Sequence, residues 1–259
     1  MSKKVIQNER IKKAVEFATK AHEGQKRKSG EPYIIHPKSV MEILIEWGMD
    51  EDTVIAGVLH DTVEDTEVTL EEIRQEFGES VAFLVDGVTK IGKARQGMRD
   101  IDTYLPVTRD NLLRLLVATG SDIRVLIIKL ADRLHNLRTL SALPPEKQKK
   151  IAKETLEIFA PLADRLNMGK LRVEMSDIAF SYVDPKRYKE LQKIIETRNQ
   201  SAEKTLKKIK NEVSQVLAKE KINFEINGRV KSVYSLHKKL AKYNQNIDEV
   251  YDLTALRVI

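Results

Sequence analysis

Residues 53–65 constrain this chain more than any other stretch. The apolar run Thr53-Val54-Ile55-Ala56-Gly57-Val58-Leu59 passes directly into His60-Asp61-Thr62-Val63-Glu64-Asp65. Read as one continuous helix at about 100° per residue, Val54, Val58, Asp61 and Asp65 share a narrow stripe, with His60 and Glu64 on the stripe beside it. A core-facing stripe thus turns from valine to carboxylate within one turn. Burying an unpaired carboxylate is costly unless a cation or strong hydrogen bonds compensate. An exposed acidic turn accounts for Glu64 or Asp65 alone, but His60 and Asp61 together point to a metal site.

The anomaly recurs in residues 122–140. Ile128, Asp132, His135 and Thr139 share one helix face there, and Asp132 continues an apolar stripe. Lys129 and Arg133, the local candidates for an ion pair with Asp132, are assigned to other faces. His36, between Ile34-Ile35 and a Pro37 that can open a helix, completes a set of four candidate ligands with His60, Asp61 and Asp132. The chain has no cysteine, which excludes disulfides and thiolate zinc sites. Two imidazoles and two carboxylates suit Mn²⁺, Fe²⁺, Zn²⁺ or Co²⁺ better than Ca²⁺ or Mg²⁺.

Around these residues the first 185 positions read as helix after helix. Residues 10–22 form an amphipathic helix ended by Gly24, and residues 25–33 a loop dense in Lys and Arg. Residues 39–47 are helical, Asp52 or Thr53 caps the helix leading to His60, and Thr69 with Glu72 makes a capping box. Residues 81–89 are helical, residues 92–106 an irregular connection, and residues 151–166 and 171–182 further helices. Val183-Asp184-Pro185 marks a boundary. Beyond a long charged helix over 186–220 the period changes to alternation around Asn227-Gly228-Arg229, followed by a helix at 234–243 and a strand at 251–259. A sheet therefore begins near the end of the sequence.

With 41% hydrophobic and 32% charged residues, the 259-residue chain is expected to be globular and soluble, with one large domain or two ordinary ones. No secretory signal or membrane span is found, so the cytoplasm is the expected compartment. The net charge of +6 is uneven: residues 186–259 hold 17 Lys/Arg against 9 Asp/Glu. That suggests polyphosphate or nucleic-acid contact, or simply a solvated helix face.

A histidine, then His-Asp on a helix, then a distant Asp on another helix resembles the HD superfamily of metal-dependent phosphohydrolases. Longer stretches resemble the RelA/SpoT homologue family of (p)ppGpp hydrolase/synthetases: Arg27-Lys28-Ser29-Gly30-Glu31-Pro32-Tyr33-Ile34-Ile35-His36-Pro37, Leu59-His60-Asp61-Thr62-Val63-Glu64-Asp65-Thr66, Leu84-Val85-Asp86-Gly87-Val88-Thr89-Lys90, Ile128-Lys129-Leu130-Ala131-Asp132-Arg133-Leu134-His135-Asn136 and Glu154-Thr155-Leu156-Glu157-Ile158-Phe159-Ala160-Pro161. The resemblance implies a mainly α fold, with an all-helical HD-type hydrolase domain over residues 1–185. Residues 186–259 would be a helical linker and the incomplete start of an α/β nucleotidyltransferase-like synthetase domain.

The implied activity is metal-dependent hydrolysis of the 3′-pyrophosphate of ppGpp or pppGpp, giving GDP or GTP and pyrophosphate, in the bacterial stringent response. His36, His60, Asp61 and Asp132 match the family's Mn²⁺ ligands, and Glu64 and Asp65 its catalytic acidic pair. Arg27, Lys28, Ser29, Asn136 and Thr139 match positions lining the guanosine nucleotide. In the synthetase-like part, Arg229, Lys231 and Lys239 would contact ATP phosphates and Asp252 would bind Mg²⁺. Synthesis is not expected from a chain that stops at its second strand. Ribosome or tRNA contact is expected only of a longer parent chain, and homo-oligomerisation is open. The rivals are a nucleotide-binding module without turnover, against which the intact Glu64-Asp65 argues, an RNA binder using the basic C-terminal part, and an HD enzyme acting on dNTPs or cyclic nucleotides.

Overall fold

The computed structural model describes residues 8–100, 122–243, 247, 250 and 254–259, and statements below refer to these. Contacts divide the chain into two compact units, Met1–Leu166 and Asn167–Ile259. Helices make up the first: α1 (Glu9–Ala21), α2 (Ile35–Glu46), α3 (Glu51–Leu59), α4 (Thr62–Asp65), α5 (Leu70–Phe77), α6 (Glu79–Asp100), α7 (Ile123–Arg138), α8 (Pro145–Glu154) and α9 (Ala160–Arg165).

α3 is the centre of this unit. Every residue from Thr53 to Leu59 is buried, as expected of a helix apolar all round. It packs against α1, α2, α6 and α7. Gly57 permits the approach of α2, because a Cβ there would lie 2.2 Å from Leu44 Cδ1. The N-cap is Asp50, not Asp52 or Thr53: its carboxylate accepts from Thr53 N at 3.1 Å, leaving Glu51 and Asp52 in the first turn against the helix dipole.

The continuous helix expected through Asp65 is interrupted. α3 ends at Leu59, and His60 and Asp61 form a turn before the short α4. Local side chains take the carbonyls that would continue the ladder: His60 Nδ1 bonds Gly57 O at 2.8 Å and Thr62 Oγ1 donates to Leu59 O at 2.6 Å. The break turns His60 and Asp61 toward α2 and α7. A second correction concerns residues 92–106, expected to be irregular, of which 101–106 lie outside the described residues. α6 continues to Asp100, because Lys93, Ala94, Arg95, Gln96 and Met98 are good helix formers that outweigh Gly92 and Gly97. The Thr69–Glu72 capping box is present at the start of α5.

The second unit contains α10 (Gly169–Val183), α11 (Pro185–Lys219), β1 (Ile226–Val230), α12 (Val233–Leu240) and β2 (Thr254–Val258). β1 and β2 pair antiparallel, Ile226 opposite Val258 and Val230 opposite Thr254. Phe180, Leu191, Ile195, Val233, Leu236 and Leu240 form its core. Asp177 caps α12 across the unit, accepting from Val233 N at 3.2 Å and Tyr234 N at 2.9 Å. At the expected boundary, Asp184 caps α11 by accepting from Arg187 N at 3.0 Å.

Candidate metal centre and adjoining cleft

Three elements bring the four expected ligands together: the first turn of α2 carries His36, the turn after α3 carries His60 and Asp61, and α7 carries Asp132. His36, His60 and Asp132 are buried, and each offers one ligand atom within 4.8 Å of the others. Asp61 joins them, with Oδ2 3.5 Å from His36 Nε2 and Oδ1 3.1 Å from His60 Nε2. Asp132 Oδ1 lies 3.3 Å from His36 Nε2 and 4.0 Å from His60 Nε2.

These residues fit a divalent metal. His60 Nδ1 donates to the Gly57 carbonyl, so the neutral ring presents Nε2 as a lone pair. That Nε2 is buried without a hydrogen-bond partner, although a carboxylate oxygen stands beside it. A lone pair facing a carboxylate calls for a cation between them. Burial opposes a charged His60 ring, but Asp61 and Asp132 outweigh it and raise its pKa above the ordinary value. Burial likewise opposes ionised Asp61 and Asp132, yet both are held well below the usual carboxylate range. Asp61 is held there by His60 and His36, and Asp132 by Lys129 and the same imidazoles.

Lys129 was expected on another face, but its Nζ lies 3.0 Å from Asp132 Oδ2. Residues three apart on a helix are neighbours, so this pairing follows from geometry. It occupies Oδ2 and leaves Oδ1 toward the two imidazoles. Asn136, one turn on, also donates to that Oδ1.

Beside the ligand cluster opens a cleft of about 430 Å³, and Arg27, Lys28, Ser29, Asn136 and Thr139 all line it. Ala142, Leu143 and Ile151 add an apolar patch. The basic loop is a closed hairpin: Tyr33 N donates to Gln25 O at 3.0 Å and Arg27 N to Glu31 O at 2.9 Å, with Gly30 at φ +89° making the reversal. It holds the Arg27 guanidinium against α7, where Nη2 donates to Asn136 Oδ1 at 2.8 Å and Nη1 lies 3.1 Å from His135 Nδ1. The neighbouring Lys147 ammonium on α8 lowers the pKa of Lys28. Two ammonium groups facing one another favour an anion between them.

Glu64 is half-buried and Asp65 exposed, both on α4 beside the ligand cluster. The Tyr33 hydroxyl lies 2.8 Å from both Asp61 Oδ2 and Asp65 Oδ2. Burial, then the charges of Asp61 and Asp65, push its pKa far above the ordinary value, so it remains a proton donor. Sequence reasoning missed Tyr33, His135 and Lys147 as parts of this region. Tyr33 stands within a stretch that carried the resemblance, and His135 shares Asp132's face; nothing local marks Lys147. Of the synthetase-like set, Arg229 lies on β1, Lys231 follows it, Lys239 lies on α12 with its ammonium 5.8 Å from the Tyr243 ring centre, and Asp252 falls outside the described residues.

The HD domain family model matches residues 14–169. A GTP pyrophosphokinase of Streptomyces coelicolor is 45% identical over 249 residues, covering 96% of this chain and 29% of that protein. A guanosine-3′,5′-bis(diphosphate) 3′-pyrophosphohydrolase of Aquifex aeolicus is 44% identical over 252 residues, covering 97% of this chain and 35% of that protein. The chain thus spans about a third of the length of these curated relatives. Among solved structures, a metazoan ortholog of SpoT, described as hydrolysing ppGpp, superposes with a TM-score of 0.50 at 27% identity, covering 66% of this chain and 94% of that one. No described helix is long and apolar enough to cross a membrane.

Proposed function

The chain belongs to the HD-domain family, and from that premise we propose that it hydrolyses the 3′-pyrophosphate of ppGpp or pppGpp, releasing pyrophosphate and GDP or GTP. One observation carries the reading: the N/O cluster of His36, His60 and Asp132, with Asp61 beside it, is joined through Tyr33 and Asn136 to a cleft lined by cationic and hydrogen-bonding side chains. A substrate bearing polyphosphate groups at two positions needs both features. Mn²⁺ is the metal proposed, held by His36, His60, Asp61 and Asp132.

When bound there, the cation supplies Lewis acidity and lowers the pKa of a coordinated water. The protein does the remaining work. Arg27, Lys28 and Lys147 neutralise the phosphates, and the planar Arg27 guanidinium can stack on guanine. Ser29, Asn136 and Thr139 offer hydrogen bonds to the nucleoside. Glu64, on the short α4 that follows the His60-Asp61 turn, exchanges the proton of the attacking water or leaving oxygen. Asp65, tied to Asp61 through Tyr33, holds that acidic pair in orientation.

A substrate panel tests the proposal. Pyrophosphate release from ppGpp and pppGpp, with dNTPs and cyclic nucleotides left unconsumed, is the expected pattern. Tight ppGpp binding without turnover would make the protein a nucleotide-binding module.

A further inference from the structure

His135 sits behind His36, outside the four-ligand set, and one nitrogen of its ring receives two neighbours. Its Nδ1 lies 2.7 Å from His36 Nδ1 and 3.1 Å from Arg27 Nη1. A guanidinium has only donors, so Arg27 must donate and His135 Nδ1 must be the unprotonated acceptor. The contact with His36 is then settled as well, because an unprotonated nitrogen can meet His36 Nδ1 only as an N–H. His36 therefore carries its proton on Nδ1. Its Nε2 is left as a lone pair facing Asp61 and Asp132, at 3.5 Å and 3.3 Å. His60 reaches the same state through the Gly57 carbonyl.

We propose that His135 is a positioning residue: its single Nδ1 lone pair, shared between the N–H of His36 and the N–H of Arg27, fixes the tautomer and tilt that direct His36 Nε2 at the metal and ties the cleft's basic hairpin to that same ligand. The inference rests on the metal reading above and extends it to the layer behind the ligands. Such outer partners fix ring orientation and raise ligand basicity, and their loss typically weakens metal binding by about 10–100-fold. The required feature is an acceptor at the Nδ1 position. The Oδ1 of an asparagine can take that place, whereas leucine cannot.

The test is Mn²⁺ titration of the full chain by calorimetry, without nucleotide, for the wild type, His135→Leu and His135→Asn. His135→Leu is expected to bind about 10–100-fold more weakly, with His135→Asn within about three-fold of the wild type. Equal affinity of His135→Leu and the wild type, or equal loss in both variants, would overturn the proposal. Should His135→Leu fail to fold, ¹⁵N histidine spectra of the Zn²⁺-loaded wild type decide it. Protonated Nδ1 and metal-bound Nε2 on His36 are expected, and metal on Nδ1 overturns it. A wild type that binds no divalent ion would overturn the metal reading itself, and this proposal with it. Tight metal binding without ppGpp turnover would overturn only the hydrolase reading.

Discussion

His60 Nε2 and Asp61 Oδ1 stand 3.1 Å apart where α3 ends, a buried ring nitrogen facing a carboxylate oxygen. Both belong to a cluster whose lone pairs and carboxylates converge, so the folded protein presents a cation site and an unfolded chain does not. Ligand binding to the folded state alone adds about 2.7 kcal/mol at a hundred-fold excess over Kd. Mn²⁺ is therefore expected to raise the melting temperature of the wild type and leave that of Asp132→Asn unchanged. Differential scanning calorimetry with and without metal checks this; an equal rise in the variant would remove Asp132 from the ligand set.

The raised pKa of His60 gives metal binding a pH dependence. In the metal-free protein the bound proton adds stability in full below the unfolded value of about 6.5, and this is lost as pH rises through the raised folded value. A metal must displace that proton, so Mn²⁺ affinity should increase with pH across the same window. Asp61 and Asp132, held low, stay ionised and add no dependence there. Calorimetric titration at several pH values reads the slope, and an affinity that does not change with pH contradicts the assignment.

One Tyr33 proton faces two carboxylates, on Asp61 and Asp65. A hydrogen bond to a charged group contributes about 1.5–3 kcal/mol. With metal saturating, Tyr33→Phe should lower kcat for ppGpp by about ten-fold or more while KM changes little. A change confined to KM would place Tyr33 in nucleotide binding instead.

α6 and α7 meet where Gly87 faces Val125. A Cβ on residue 87 would lie 2.8 Å from Val125 Cγ2 and 3.1 Å from Cγ1. Val125 is buried and β-branched, with little rotamer freedom to yield. Overpacking costs about 1–3 kcal/mol, against a helix-propensity gain of about 1 kcal/mol. Gly87→Ala should therefore lower the urea midpoint. A midpoint at or above that of the wild type would show that α7 moves aside freely.

Much of the site could be read from residue order. Asp132 is legible because a carboxylate continues an apolar stripe of α7, whereas the stripe that pointed to Asp61 assumes a continuous helix that ends at Leu59. Arg27, Lys28, Ser29, Asn136 and Thr139 came only from resemblance, and they line one cleft because the hairpin closed by Gln25 and Tyr33 folds against α7. Illegible were features set by tertiary contact or by side chains competing for carbonyls. The turn at His60-Asp61 depends on His60 and Thr62 capturing backbone oxygens. The role of His135 depends on Arg27 reaching it across 108 positions of sequence. Lys129 is different: its pairing with Asp132 lay in the helix spacing and was misjudged.

The proposed hydrolysis of ppGpp requires His36, His60, Asp61 and Asp132 to hold the metal. Its most direct test is pyrophosphate release from ppGpp by the wild type and by Asp61→Ala, with Mn²⁺ and with EDTA. Release by the wild type with Mn²⁺, abolished by EDTA and by Asp61→Ala, is the predicted result. Release that survives EDTA or the substitution, or no release from the Mn²⁺-loaded wild type, would contradict it.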